Sequence, residues 1–313
     1  MADANPSRLG QIEAAGDVDA LFLKQFSGEV LTAYTTAVKT DGRHVQRTIS
    51  SGKSAQFPAM WKNSARYHTP GTEITGQNIK HDEIVVEIDD LLISDVFVAE
   101  IDELKNHYDV RAEYSTQCGI ALATAKDRNV LRCMLLASTS PATFSGASPA
   151  GTVISNAAMR TDATVLAAGF FSAAQTLMEH DIPEAHKRSG FIRPAQYFLL
   201  VSNKDLLNKD WGGVGSYSAA DLPQVAGIEL VVTNNLPITD ETGDVNVLPK
   251  YRGDWSKTAA VVTTPYAAAT VKLKDLSTES GWDMRRQGNL IIAKYVMGHR
   301  ALRPECAVQL ATE

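Results

Sequence analysis

Between Ala99 and Ala137, apolar and small residues recur at helical spacing: Ile101, Leu104, Tyr108, Ala112, Ser115, Cys118, Leu122 and Ala125. Neither proline nor a glycine pair interrupts the run before Ser138-Thr139-Ser140-Pro141, which ends it. An unbroken helix of about 30–38 residues would reach roughly 45–55 Å. The stretch His107-Tyr108-Asp109-Val110 weakens the stripe and marks a break. Cys118, Ala121 and Ala125 are small enough to let another element come close. The pattern fits an ordinary long core helix, and it fits equally a rod on which a flat, extended subunit is assembled.

Met1–Gly16 reads as a mobile arm. Asp17 then caps an amphipathic helix to about Val38, with Val18, Leu21, Phe22, Phe26 and Val30 near helical spacing. From Arg43 to Val98 the period changes to two. Val45, Arg47 and Ile49 form the outgoing strand, and Glu83–Val98 returns with Ile84, Val86 and Ile88 on one face. The residues between them carry Pro58, Pro70-Gly71 and Gly76 and no apolar period, which is long for a loop inside a compact domain. A two-stranded ribbon is marginal alone and must lie on something, with a neighbouring subunit as the natural support.

After Pro141 a Ser/Gly/Pro-rich loop runs to Gly151. A helix follows over Asp162–His180, burying Val165, Leu166, Phe170, Ala173 and Leu177. Strands are predicted at Gln196–Ser202, Ile228–Thr233, Thr258–Thr264, Ala269–Leu276, Leu290–Val296 and Ala307–Leu310. Asn203–Leu222 reads as a short helix and a flexible loop, and Leu236–Asp254 as an acidic surface loop. The order is α+β and does not require a single compact ball.

The chain has 313 residues, 44% hydrophobic and 21% charged, enough for one elaborate domain or two. A net charge of −6 argues against a dedicated nucleic-acid binder, which carries a basic stripe. No apolar run is long enough to span a membrane, and the first residues lack the apolar core of a signal peptide. Cys118, Cys133 and Cys306 lack metal or redox spacing and read as reduced, buried hydrophobes.

Charge is sorted along the ribbon. Arg43–Thr72 holds five bases and no acid, whereas Asp82–Glu103 holds nine acids and no base. The opposite runs either pair across one hairpin, or the basic tip lies on the acidic base of the next copy, setting register and excluding wrong partners. The contact residues predicted on the loop are Arg47, Lys53, Phe57, Lys62 and Arg66; those on the acidic base are Glu87, Asp89, Asp90, Asp102 and Glu103.

Catalytic patterns are missing. Gly52-Lys53-Ser54 resembles a phosphate loop, but Arg47 stands where that loop needs glycine, and Phe57-Pro58 follows where a helix should start. There is no Gly-x-Ser-x-Gly elbow. The seven histidines include no His-Glu-x-x-His pair, and Asp240-Glu241-Thr242-Gly243-Asp244 lacks calcium-loop spacing. No catalytic residue, metal site or cofactor is assigned.

Several longer stretches carry a family resemblance. These are Ala14-Ala15-Gly16-Asp17, Leu21-Phe22-Leu23-Lys24, Gly28-Glu29-Val30-Leu31-Thr32-Ala33 and Ser50–Pro58, then Asn106–Arg111, Ile291–Tyr295, Gly298-His299 and Leu302-Arg303-Pro304-Glu305. In this order they resemble the major capsid protein of short-tailed phages of the T-seven group. The lobe between about 138 and 265 shows no visible match. The resemblance implies the Hong Kong 97-type capsid fold, with residues 1–42 as N-terminal arm and 43–98 as extended loop. It makes 99–140 and 266–313 the peripheral domain with its spine helix, and 141–265 the axial domain. It further implies self-assembly as hexamers and pentamers around a scaffolding protein, a portal through which double-stranded DNA enters, procapsid expansion, and in some shells a decoration protein. The location implied is the virion capsid, assembled in the host cytoplasm. Some members of the wider fold cross-link a loop lysine, and Lys53 lies in that loop; the phage group resembled does not use that chemistry. A cellular nanocompartment shell of the same fold, and a soluble oligomeric enzyme lidded by the ribbon, are the alternatives.

Overall fold

The computed structural model describes residues 20–99, 111–183, 185–203, 222 and 224–313. In chain order its elements are α1 (Ala20–Ala37), β1 (Val45–Thr48), β2 (Ser54–Met60), β3 (His81–Glu87), β4 (Leu92–Ala99) and α2 (Arg111–Thr139). Then come β5 (Thr152–Ser155), α3 (Ala163–Glu179), β6 (Ser189–Ile192), α4 (Pro194–Val201), β7 (Gln224–Val225) and β8 (Ile228–Val232). Last are β9 (Thr258–Thr263), β10 (Ala268–Asp283), β11 (Gly288–Ala301) and β12 (Ala307–Ala311). The chain is α+β and falls into two compact units.

The first unit gathers residues 20–39, 89–99, 111–127 and 272–297 of those described. In it β10, β11 and β4 are successive neighbours in a sheet, and β11 runs antiparallel to β4 from Gly288↔Ala99 to Tyr295↔Leu92. Ile291, Ala293, Tyr295 and Met297, alternate residues of β11, meet Val30 and Tyr34 of one α1 stripe, Val38 just past its end, and Cys118, Leu122 and Ala123 of α2. The two helices touch closely: a Cβ on Gly119 would stand 2.7 Å from the Val30 carbonyl oxygen and 2.8 Å from Ala33 Cβ. The small-residue approach expected on this helix is therefore made at Cys118 and Gly119, while Ala121 is exposed. Asp127 is fully buried and accepts the Lys39 backbone N–H at 2.9 Å. The equally buried Lys126 places Nζ 5.4 Å from the Tyr34 ring centre. Burial, with Asp89 and Asp127 nearby, drives the Tyr295 phenol well above its ordinary pKa.

The second unit gathers residues 40–88, 128–183, 185–203, 222, 224–271 and 298–313 of those described. Its six-stranded sheet has the order β5-β12-β9-β6-β8-β7, with β12 parallel to β5 and antiparallel to β9, and β6 parallel to β8. Alternation divides each strand between two cores. Ala260, Val262, Ile192 and Ile228 face Leu166, Phe170, Ala173 and Leu177 of α3. Val261, Phe191 and Val231 face Val130, Leu131, Met134 and Leu135 of α2. Asp162 caps α3 by accepting the Thr164 N–H at 2.8 Å, as the preference for Asp at that position predicts.

The predicted elements are corrected in four places. Gln196–Ser202 lies in helix α4 and its end instead of a strand: a short apolar run has no decisive period, and Pro194 at the first turn starts a helix. The partner of the returning ribbon strand is Ser54–Met60, not Val45–Ile49, because Ala55, Phe57 and Ala59 alternate inward with less apolar contrast than the pattern demanded. The return itself divides into β3 and β4, which belong to different sheets. Leu236–Asp254 is anchored, with Leu236, Val247 and Tyr251 buried and Glu241 held by Arg132 through two hydrogen bonds of 2.8 and 3.0 Å. The break expected at 107–110 and the loop at 204–221 fall outside the described residues.

Candidate inter-subunit surface

The surface starts from a two-stranded ribbon, β2–β3, paired antiparallel from Ser54↔Glu87 to Met60↔His81. Its inward residues Ala55, Val86, Phe57 and Ile84 pack with Val45 and Ile49 on Ala269, Val271 and Leu302. At this root the backbone is clamped. Arg300 Nη1 donates to the Val85 carbonyl at 2.6 Å, and Lys250 Nζ donates to the Glu87 carbonyl at 3.2 Å. A Cβ at Gly298 would sit 2.1 Å from the Glu87 carbonyl oxygen, so only glycine admits the strand there. Cationic side chains thus occupy carbonyls along β3, a usual way of blunting an edge.

Beyond Trp61, whose N–H donates to the Lys80 carbonyl at 3.1 Å, the chain leaves the ladder. Residues 62–78 are all exposed; Tyr67 is fully so, and Ile74 and Met60 show most of their surface. The holds on the body are few. Lys62 Nζ donates to Asp181 Oδ2 at 2.7 Å, Lys80 Nζ donates to the Ser145 carbonyl at 2.9 Å, and the Trp61 and Phe144 ring centres are 6.2 Å apart. The Lys62 ammonium, bonded to Asp181, holds that carboxyl below its ordinary pKa.

Of the predicted contact residues, Arg47 and Phe57 lie against each other, and the loop set and the acidic set share no ion pair among the described residues. Arg47 donates to the Gln56 carbonyl at 3.1 Å with its guanidinium 6.0 Å from the Phe57 ring centre, and Arg66 donates to the Thr75 carbonyl at 2.7 Å. Lys53 is exposed at the turn, where its carbonyl accepts the Ile88 N–H at 3.0 Å. The ion pairs that loop bases make among the described residues, Arg43–Glu229 and Lys62–Asp181, go to acids outside the 82–103 run. No base faces an acid in the β2–β3 register. Glu87 and Asp90 are exposed, and Asp89 donates its backbone N–H to the Met297 carbonyl at 3.1 Å. Asp102 and Glu103 lie outside the described residues. Asp181, Gly298, Lys250 and Arg300 were not singled out by charge sorting, since they lie far away in sequence; only Gly298 stood in a recognisable stretch.

A family model described as Gp10A-like, major capsid protein, matches residues 56–311. The chain belongs to the Gp10A-like major capsid protein family. It is 35% identical to the major capsid protein of Escherichia phage T7 over 95% of this chain and 93% of that one. The solved capsid of cyanophage P-SCSP1u superposes with a TM-score of 0.81 at 39% identity, covering 100% of this chain and 99% of that one. The mature capsid subunit of bacteriophage PhiM1 shares the fold, with a TM-score of 0.74 at 20% identity over 88% and 87% of the two chains. This capsid protein is thus a structural component of the virion that assembles into multimeric shells, and not an enzyme.

Proposed function

We propose that this capsid protein builds the icosahedral wall of a tailed double-stranded DNA phage as hexamers and pentamers, in which the ribbon of one copy lies on the next. Residues 43–98 act as the extended loop, 1–42 as the N-terminal arm, 99–140 with 266–313 as the peripheral domain, and 141–265 as the axial domain. Arg47, Lys53, Phe57, Lys62 and Arg66 contact an acidic base containing Glu87, Asp89, Asp90, Asp102 and Glu103 on the neighbour. Scaffolding protein and portal guide assembly in the host cytoplasm, expansion accompanies DNA entry, and a decoration protein is compatible with the outer face. The net charge of −6 suits a wall that should not grip packaged DNA, because each cation–phosphate contact adds salt-dependent affinity.

The observation that supports this reading is the exposed tip, with apolar Met60, Tyr67 and Ile74 beside Lys62, whose ion pair goes to Asp181 and not to the acidic run. Lys53→Glu and Arg47→Glu place like charges at the proposed contact. Purified subunits of these variants should fold normally by circular dichroism yet give few closed, expanded shells by negative-stain microscopy with scaffold. Normal shells from both variants would remove loop charge from the mechanism.

A further inference from the structure

Trp61 and Lys62 at the tip form one wall of a small cavity of about 70 Å³. Its other walls include His180, Asp181, His186 and Glu305. Glu305 is only 6% exposed, and its Oε2 is buried without a hydrogen-bond partner among the described residues. An unpaired buried polar atom is costly, and water relieves that cost when a covering element lifts away. The same few side chains therefore produce opposing effects. The Lys62–Asp181 ion pair is largely exposed, at 55% and 76% for the two side chains, and a pair of that kind holds weakly. Trp61 against Phe144 adds a modest aromatic contact. Against these stands the unpartnered oxygen of Glu305, a carboxyl that lines the same cavity. Asp181 itself has φ of 56° just past the end of α3, and its carboxylate accepts from Lys62. The root shows no comparable opposition, because Gly298, Arg300 and the apolar residues around Val86 all favour the docked strand.

We propose that the Trp61–Lys62 tip is a reversible self-latch: it rests on Asp181 and its neighbours in the free subunit, is released by hydration of Glu305, and must let go before the loop can engage a second copy. The root stays fixed while the tip exchanges. The latch holds back premature loop-to-neighbour contact, so that engagement requires a copy offering better partners than Asp181. This rests on the shell reading for its consequence in assembly, but not for its consequence in the isolated subunit.

Two measurements test it. In Lys62→Cys/Asp181→Cys, a short reducible bis-maleimide ties the tip to the body; the native cysteines are buried and so shielded from the reagent. The tied subunit should form shells at least tenfold less than the same variant after reduction. Equal yields before and after reduction would overturn the latch, whereas failure of wild-type protein to form shells with scaffold would count against the shell reading instead. In the isolated subunit, Glu305→Gln keeps the shape and weakens the demand for water. Protease cleavage within residues 62–78 should slow severalfold relative to wild type, and Lys62→Ala should accelerate it by a similar factor. Unchanged cleavage in both variants, with circular dichroism unaltered, would overturn the latch without touching the shell reading.

Discussion

Two sheets in the same unit follow opposite recipes. All six residues of β9 are buried, with a strand on each edge and a helical layer on each face. In β2, Ala55 and Ala59 are buried while most of the remaining residues are exposed. The first strand buries even its terminal threonines, whose hydroxyls are hydrogen-bonded to Gln309 and Met134, and its four central residues contribute apolar burial at about 25 cal/mol per Å². The second has one small-residue face on the body and an open face beside a bare tip. Stability is concentrated in the six-stranded sheet; the ribbon holds its shape through a clamped root and leaves its outer face and tip exposed.

That division implies that substitutions in the sheet should unfold the subunit, while substitutions in the ribbon should alter assembly first. The largest expected effect is at Phe170, fully buried between α3 and the sheet. Phe170→Ala should cost about 3–5 kcal/mol through lost burial and an unfilled cavity. The check is the urea midpoint of the isolated subunit at unchanged slope. A shift smaller than that caused by any ribbon variant would break the comparison.

Next is Gly298, where the ribbon root meets the end of β11. An added methyl cannot be absorbed by a rotating side chain, because the atom it meets is the Glu87 carbonyl oxygen. Gly298→Ala should cost roughly 1–3 kcal/mol by overpacking, and hydrogen exchange should rise along 81–87 before it rises in the six-stranded sheet. Uniform loosening of the whole unit would show that the root is not a separable clamp.

Much of this contrast was legible in the sequence, and the missing part has a physical cause. The 3.6 period located α3, and short apolar runs located β8, β9 and β12, of which β9 and β12 are buried along their whole length. Charge sorting marked the ribbon, and the small residues of the long helix announced a close approach, although Gly119 and not Ala121 makes it. Helix α4 was misread because Phe198-Leu199-Leu200-Val201 is apolar all round and favours neither period. The tip's partner, Asp181, was invisible because it follows an unrelated helix 119 residues away and is identified only by the folded backbone. Buried Lys126 and Asp127 likewise look like solvated charges in a linear pattern.

The smallest effect sharpens the comparison most, because it separates holding from folding. The Asp181 carboxyl has its pKa lowered chiefly by the hydrogen bond from Lys62, with the ammonium charge adding to it. A depressed carboxylate contributes stability above its unfolded pKa and loses it as pH falls through the depressed folded value. The tip contact should therefore be intact at neutral pH and fade only below the ordinary carboxylate range. Lys62→Ala should return the Asp181 titration midpoint, followed by carboxyl carbon chemical shift, upward to its ordinary value. The urea midpoint of the subunit at pH 7 should stay within error of wild type, since an exposed pair contributes little to global stability. A midpoint of Asp181 that does not move would mean that Lys62 and Asp181 do not meet in the free subunit. A large loss of stability would mean instead that the tip belongs to the folded core, and the two regions would no longer be different in kind.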